Sequence, residues 1–219
     1  MNWAALHRDV VFGSAGGRII WQPRILAWFT DREFSGQPLP ERYAGMDMYD
    51  VYRDLGCSAR LYEFNSCFQR HEDRRVQVTQ QQIDGLTTET TISTPVGQQT
   101  SITRKSPNSW HAITDKREVS NRTELRVAAW REEHCDWSFD ADRFTELQAQ
   151  IGDLGAPTIF MPRMNVQSLY LDKMGVEAAI FALYDWQQDV EAYFSALEQS
   201  HDRLIDVIAT SPVEIINFG

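Results

Sequence analysis

Three cysteines in 219 residues, Cys57, Cys67 and Cys135, are too few and too widely spaced for a disulfide framework. None belongs to a Cys-x-x-Cys pair, so a reducing, cytoplasmic setting is expected. Long apolar runs are missing too. His7, Arg8 and Asp9 interrupt the opening segment where a signal peptide needs an unbroken apolar core. No stretch approaches the ~18 apolar residues of a membrane span. Basic residues are in deficit, 21 against 31 acidic ones, for a net charge of -10. Such a chain repels phosphate backbones and anionic lipid, which argues against nucleic acid and membrane surfaces as partners. A small anionic molecule could still be held by a few local arginines. Nucleotide-binding glycine motifs and a Gly-x-Ser-x-Gly elbow are absent, and no cofactor is expected.

What is present is a chain with 42% hydrophobic and 24% charged residues, enough for a globular domain over 1–219. Apolar spacing predicts helices over 2–12, 25–34, 46–54, 121–133, 140–151, 165–173, 175–184 and 186–209. Short apolar runs near 18–23, 59–64, 157–161 and 213–218 read as buried parallel strands between them. Residues 74–118 differ in character. They alternate, are rich in Thr and Gln, and are broken at Asp84-Gly85 and Pro95-Val96-Gly97, which predicts an inserted antiparallel meander. Asp84-Gly85 reads as a tight hairpin turn with positive φ at Gly85.

Four segments carry a family resemblance. WQPRILAWF with LPERY, TTETTISTPVGQQTSITRK, GDLGAPTIFMPRM and SPVEIINFG resemble, in order, segments of the uroporphyrinogen decarboxylase superfamily. The resemblance implies the N-terminal half of a (β/α)8 barrel, about four parallel strands with the antiparallel insertion, opening its site at the strands' C-terminal ends. That family contains decarboxylases and methyltransferases, the latter with zinc ligands in the barrel's second half. Arg24 fills the first of two arginine positions of the decarboxylase pattern, but Trp28 stands at the second. Glu63 or Asn65 is the nearest candidate for the family's aspartate, and Arg163 falls where its tyrosine would be. The resemblance therefore implies a protein without decarboxylase activity of its own. One reading is a half-barrel that pairs the edges of its first and last strands across a twofold, as a homodimer. The other is a subunit or fragment of an enzyme whose missing half carries the chemistry.

Candidate site residues are few. Arg24 and Arg163 each follow a proline at the end of an expected strand, where a guanidinium could clamp a carboxylate or phosphate. Cys57, Cys67 and His71 give the only hint of a metal site, and buried unliganded cysteine is the commoner outcome, so no metal is expected. Arg131 to His134 reads as a solvated helix end. Asp140, Asp142, Asp185 and Asp189 stand near expected helix starts, where carboxylates cap backbone N–H groups.

Overall fold

The computed structural model describes residues 1–218. Helices form where the apolar spacing puts them. α1 (Trp3–Val11) is capped by Asn2, whose side chain accepts from Ala5 N. α2 (Leu26–Phe34) is followed by α3 (Met48–Leu55), which opens on a reciprocal Asp47–Asp50 capping box. α3 ends on Gly56 at φ 61°, the left-handed conformation that favours glycine. α4 (Arg122–Glu133) and α5 (Ala141–Ile151) are capped by Asn121 and Asp140. A single turn, α6 (Asn165–Gln167), widens into a π-type turn over Ser168–Lys173. α7 (Val176–Asp185) and the 23-residue α8 (Gln187–Ala209) complete the helices.

Eight strands occur among the described residues: β1 (Phe68–His71), β2 (Gln77–Gln82), β3 (Thr87–Thr94), β4 (Gly97–Lys105), β5 (Ala112–Lys116), β6 (Asp136–Phe139), β7 (Thr158–Phe160) and β8 (Ile215–Asn217). β2 to β5 make a four-stranded antiparallel sheet in chain order. β1 pairs antiparallel with β6, and β7 pairs in parallel with β8.

Half of a (β/α)8 barrel is therefore not what forms. The largest sheet is antiparallel, and the only parallel ladder among the described residues has two strands. The physical reasons lie in the two expected strands that are missing. Residues 18–23 follow Gly16 and Gly17, both at positive φ, and join no ladder. Ile19 and Trp21 remain exposed. The run at 59–64 breaks after Leu61. Glu63 turns its carboxylate back onto Tyr62 N at 2.8 Å, and Glu63–Cys67 winds into a 3-10 turn.

The antiparallel sheet also corrects one turn. Asp84-Gly85 is not a two-residue hairpin with glycine at positive φ. β2 and β3 are joined by Ile83–Leu86, and the Asp84 carboxylate accepts from Leu86 N and Thr87 N, both at 2.8 Å. Glycine matters instead at Gly97, φ 144°, where a Cβ would stand 3.0 Å from Thr123 Cγ2. That close approach seats β4 on α4. Lys116 Nζ reaches Glu124 at 2.7 Å, and Lys173 Nζ reaches Glu118 at 2.8 Å, tying the sheet to the helices.

Two apolar cores result. One gathers Tyr52, Phe64, Leu147, Ile151, Leu154 and Ile159; the other gathers Leu125, Leu169, Ala179, Ala182 and Tyr193. α8 belongs to both, with Val190, Tyr193 and Leu197 in the second and Leu204 and Ile208 in the first. No helix among the described residues is long and apolar enough to cross a membrane.

Candidate functional site

A cleft of about 350 Å3 opens beside the parallel pair of strands. Its walls come from α1 (His7, Val11), Gln22, the extended segment Ala59–Leu61, β7 and β8 with Phe218. Local chemistry explains how these pieces meet. α1 is held against the rest by Ala4 N donating to Asp153 O at 2.9 Å and by a bidentate ion pair between Arg8 and Glu214. Ala59 N donates to Leu154 O at 2.9 Å, and the Ser58 hydroxyl donates to the same carbonyl at 2.9 Å. The approach is tight because position 155 is glycine: a Cβ there would lie 3.2 Å from Ala59 O and 3.1 Å from Leu61 Cδ1. Gln22 Nε2 donates to Ser58 Oγ and Ala59 O at 3.2 and 3.1 Å, closing one wall.

Arg60 is the unusual group in this cleft. Its guanidinium carbon lies 5.3 Å from the Tyr62 ring centre and 5.7 Å from that of Phe160. Those two rings lie 4.5 Å apart, and Arg24 faces Tyr62 at 6.0 Å. Arg60 Nε is buried without a hydrogen-bond partner, and the side chain joins no ion pair among the described residues. His7 also lines the cleft. It is 9% exposed, and its Nδ1 is buried without a partner. Burial, and then the neighbouring Arg8 charge, hold its pKa below the ordinary histidine value, so the ring is uncharged at neutral pH. The remaining walls are mostly apolar: Val11, Leu61, Ile215, Ile216 and Phe218.

The two arginines singled out from the sequence are not brought into one site. Arg24 is exposed and touches the Arg60 cluster through Tyr62. Arg163 pairs with Asp172 at 2.8 Å on the surface and lines a neighbouring cleft with Met161, Pro162, Met164 and Gln167. Phe218 borders both clefts. Arg60 and His7 were missed. A signal for Arg60 existed: it is a cation inside the apolar run ARLYEF, flanked by the buried Ala59 and Leu61.

Cys57, Cys67 and Cys135 are buried free thiols, and His71 is exposed with Nε2 2.6 Å from Ser138 Oγ. No cluster of three or more His, Cys, Asp or Glu that could hold a metal ion occurs among the described residues.

The charged end of α4 is solvated only in part: Glu133 is exposed, but its neighbours are drawn into ion pairs. Glu132 is buried and pairs with Arg70 at 3.2 Å, while Arg131 pairs with Glu72 at 2.6 Å. Asp189, in the first turn of α8, takes Arg122 and Arg126 at 2.6 and 2.7 Å. These bonds, that to Arg126 above all, hold its carboxyl below the usual range.

Against this geometry, comparison with known proteins places the chain nowhere: no family model, no curated protein and no solved structure matches it.

Proposed function

We propose that the protein binds a small organic molecule in the cleft between α1, the Ala59–Leu61 segment and the β7–β8 pair. One observation carries this reading. Two residues that line the cleft, Arg60 and His7, each bury a polar atom, Nε and Nδ1, without a partner. A buried polar group left unpaired costs about 1–3 kcal/mol and calls for an explanation, and two such groups belong to residues of one cleft. The mixture of apolar wall and a few convergent polar groups is that of a small-molecule site. The test is a thermal-shift screen with small acids and their neutral amides, repeated on Ile216→Ser and Phe218→Ser. Both side chains are exposed on the cleft's rim, so these variants should fold and lose the ligand-induced shift. A hit whose shift survives both substitutions lies elsewhere on the protein.

Kinship with the uroporphyrinogen decarboxylase superfamily rests on the four quoted segments, and under this reading the chain binds without decarboxylating. Trp28, at the second arginine position of that pattern, packs edge-on against Phe29 and Tyr43 at 5.1 and 6.0 Å.

A second reading, self-association, is favoured by the β8 edge. β8 pairs only with β7 among the described residues, and Ile216 and Phe218 beside its open edge are exposed. A twofold could lay this edge against its copy, since an isologous contact joins a patch to itself. Residues 18–23 form no strand, so the first-to-last pairing expected from the sequence lacks one of its partners. Light scattering on the wild type and on Ile216→Asp tests it: a dimer that becomes a folded monomer supports the reading, and a wild-type monomer removes it.

A further inference from the structure

We infer that the ligand of this cleft is a monocarboxylic acid with an apolar body, its carboxylate on Arg60. The inference rests on the reading of the cleft as a small-molecule site and adds the chemical class. Arg60 presents a planar fork of N–H donors whose shape matches two oxygens side by side. Tyr62 and Phe160 face the guanidinium and restrict its rotation, so little side-chain freedom remains to be lost on binding. Among the described residues no carboxylate pairs with the fork: every other arginine of the 53–75 stretch bonds an acidic side chain or remains in solvent, whereas Arg60 is half-buried and joins no ion pair there. Water reaches such a cation poorly, so an anion meets it at lower effective dielectric than it would at the surface.

The rest of the wall selects against a phosphate dianion. A dianion needs several donors and more than one cation; beside Arg60 the cleft offers the Asn217 amide, while other polar groups of its walls are used within the fold. Gln22 Nε2 is spent on Ser58 and Ala59, and the Thr158 hydroxyl donates to Ala156 O at 2.9 Å. His7 is uncharged, and Arg24, 6.0 Å from the Tyr62 ring centre, does not line the cleft. One half-buried cation matches one negative charge. Beyond it the walls are mostly Val11, Leu61, Ile215, Ile216 and Phe218, which suit hydrocarbon, with Asn217 as a polar group among them. At ~30 Å3 per water-sized group, the cleft takes a ligand of roughly a dozen non-hydrogen atoms.

The test uses the full chain and four named organic probes, benzoate, hexanoate, benzamide and hexanamide, with inorganic phosphate as the fifth, measured by titration calorimetry. The two acids should bind at least about tenfold tighter than their amides, because the amides cannot offer a charged pair of oxygens. Arg60→Met should remove that preference, and Arg60→Lys should keep only part of it, since lysine supplies charge without the fork. Arg104→Met, on the antiparallel sheet in its own pair with Asp115, should change nothing. If Arg60→Met fails to fold, the acid-to-amide ratio in the wild type and the Arg60→Lys variant decide the matter. Amides binding as well as acids would overturn the carboxylate assignment and leave the cleft as a neutral-ligand site. Phosphate binding tighter than both acids through Arg60 would overturn it in favour of a phosphoryl ligand. Absence of binding by all five probes at about 10 mM would remove the cleft reading as well.

Discussion

The side-chain amide of Asn65 pairs with the backbone of Phe160 in both directions, donating to its carbonyl at 2.7 Å and accepting from its N–H at 3.1 Å. It does for β7 what a neighbouring strand's peptide group would do. Asn65→Leu should leave both backbone groups without partners and destabilise the fold by about 1–3 kcal/mol. Asn65→Asp keeps the acceptor and loses the donor, so it should fall between. Urea unfolding midpoints give the order; a wild-type midpoint for Asn65→Leu would mean that the pair contributes nothing.

Gly97 and Gly85 should respond oppositely to substitution. Gly97→Ala places a Cβ 3.0 Å from Thr123 Cγ2 on a backbone at φ 144°, and should cost about 1–3 kcal/mol. Gly85 has no positive φ and open space around it, so Gly85→Ala should be near neutral. Thermal unfolding of the two variants side by side checks this; equal losses would contradict it.

Acid should weaken the fold before its carboxylates titrate. Burial lowers the pKa of His7, with Arg8 adding to it, and burial lowers that of His201 against an opposing pull from Glu132. Unfolded histidine titrates near 6.5, so between that value and the lower folded one the unfolded chain binds more protons. The stabilisation is complete above about pH 6.5 and is lost as pH falls below it. Asp189, held down by Arg126 and Arg122, and Glu214, held down by Arg8, contribute losses only below their ordinary values of 3.8 and 4.5. Urea midpoints should therefore decline between about pH 6.5 and 5, with a shallower slope in the His7→Gln, His201→Gln double variant. A flat profile over that range would refute the assignment.

Adjacent isoleucines of β8 should separate folding from association. Ile215 is buried and Ile216 is not. Ile215→Asp puts an unpaired charge into the interior and should unfold the chain. Ile216→Asp should keep the wild-type circular dichroism spectrum while abolishing any dimer. Loss of structure in both would place Ile216 in the core.

Uroporphyrinogen turnover by this chain should equal a buffer blank. Arg163 is engaged with Asp172, and Trp28 is packed among aromatic side chains. Turnover above the blank would restore the decarboxylase reading.

Helices were legible because their apolar residues recur on one face, as Val190, Tyr193, Leu197, Leu204 and Ile208 do along α8. The alternating Thr-rich segment was legible as antiparallel strands for the same kind of reason, a period of two. Short apolar runs carry no such period. RIIWQP and ARLYEF look like TIFMP and EIINF, yet only the latter two contain strands. RIIWQP follows two glycines at positive φ, and in ARLYEF the Glu63 carboxylate captures Tyr62 N, which no run of apolar residues announces. The site was hidden for a related reason. Arg24 and Arg163 looked functional because each follows Pro at an expected strand end, whereas Arg60 drew no notice inside a run read as core. Whether a guanidinium finds a carboxylate depends on contacts across the fold: Asp172 lies nine residues from Arg163 and reaches it, and among the described residues no acidic side chain reaches Arg60.

α8 has a property that its length alone does not convey. At ~1.5 Å per residue it is a beam of about 34 Å whose two halves are clamped in different cores. A local opening in either core frees one end of a rod still gripped at the other, so the opening is opposed by packing far from where it starts. Amides of Leu125 in α4 and Leu147 in α5, in separate cores, should therefore exchange with solvent through a common slow event rather than at two independent rates.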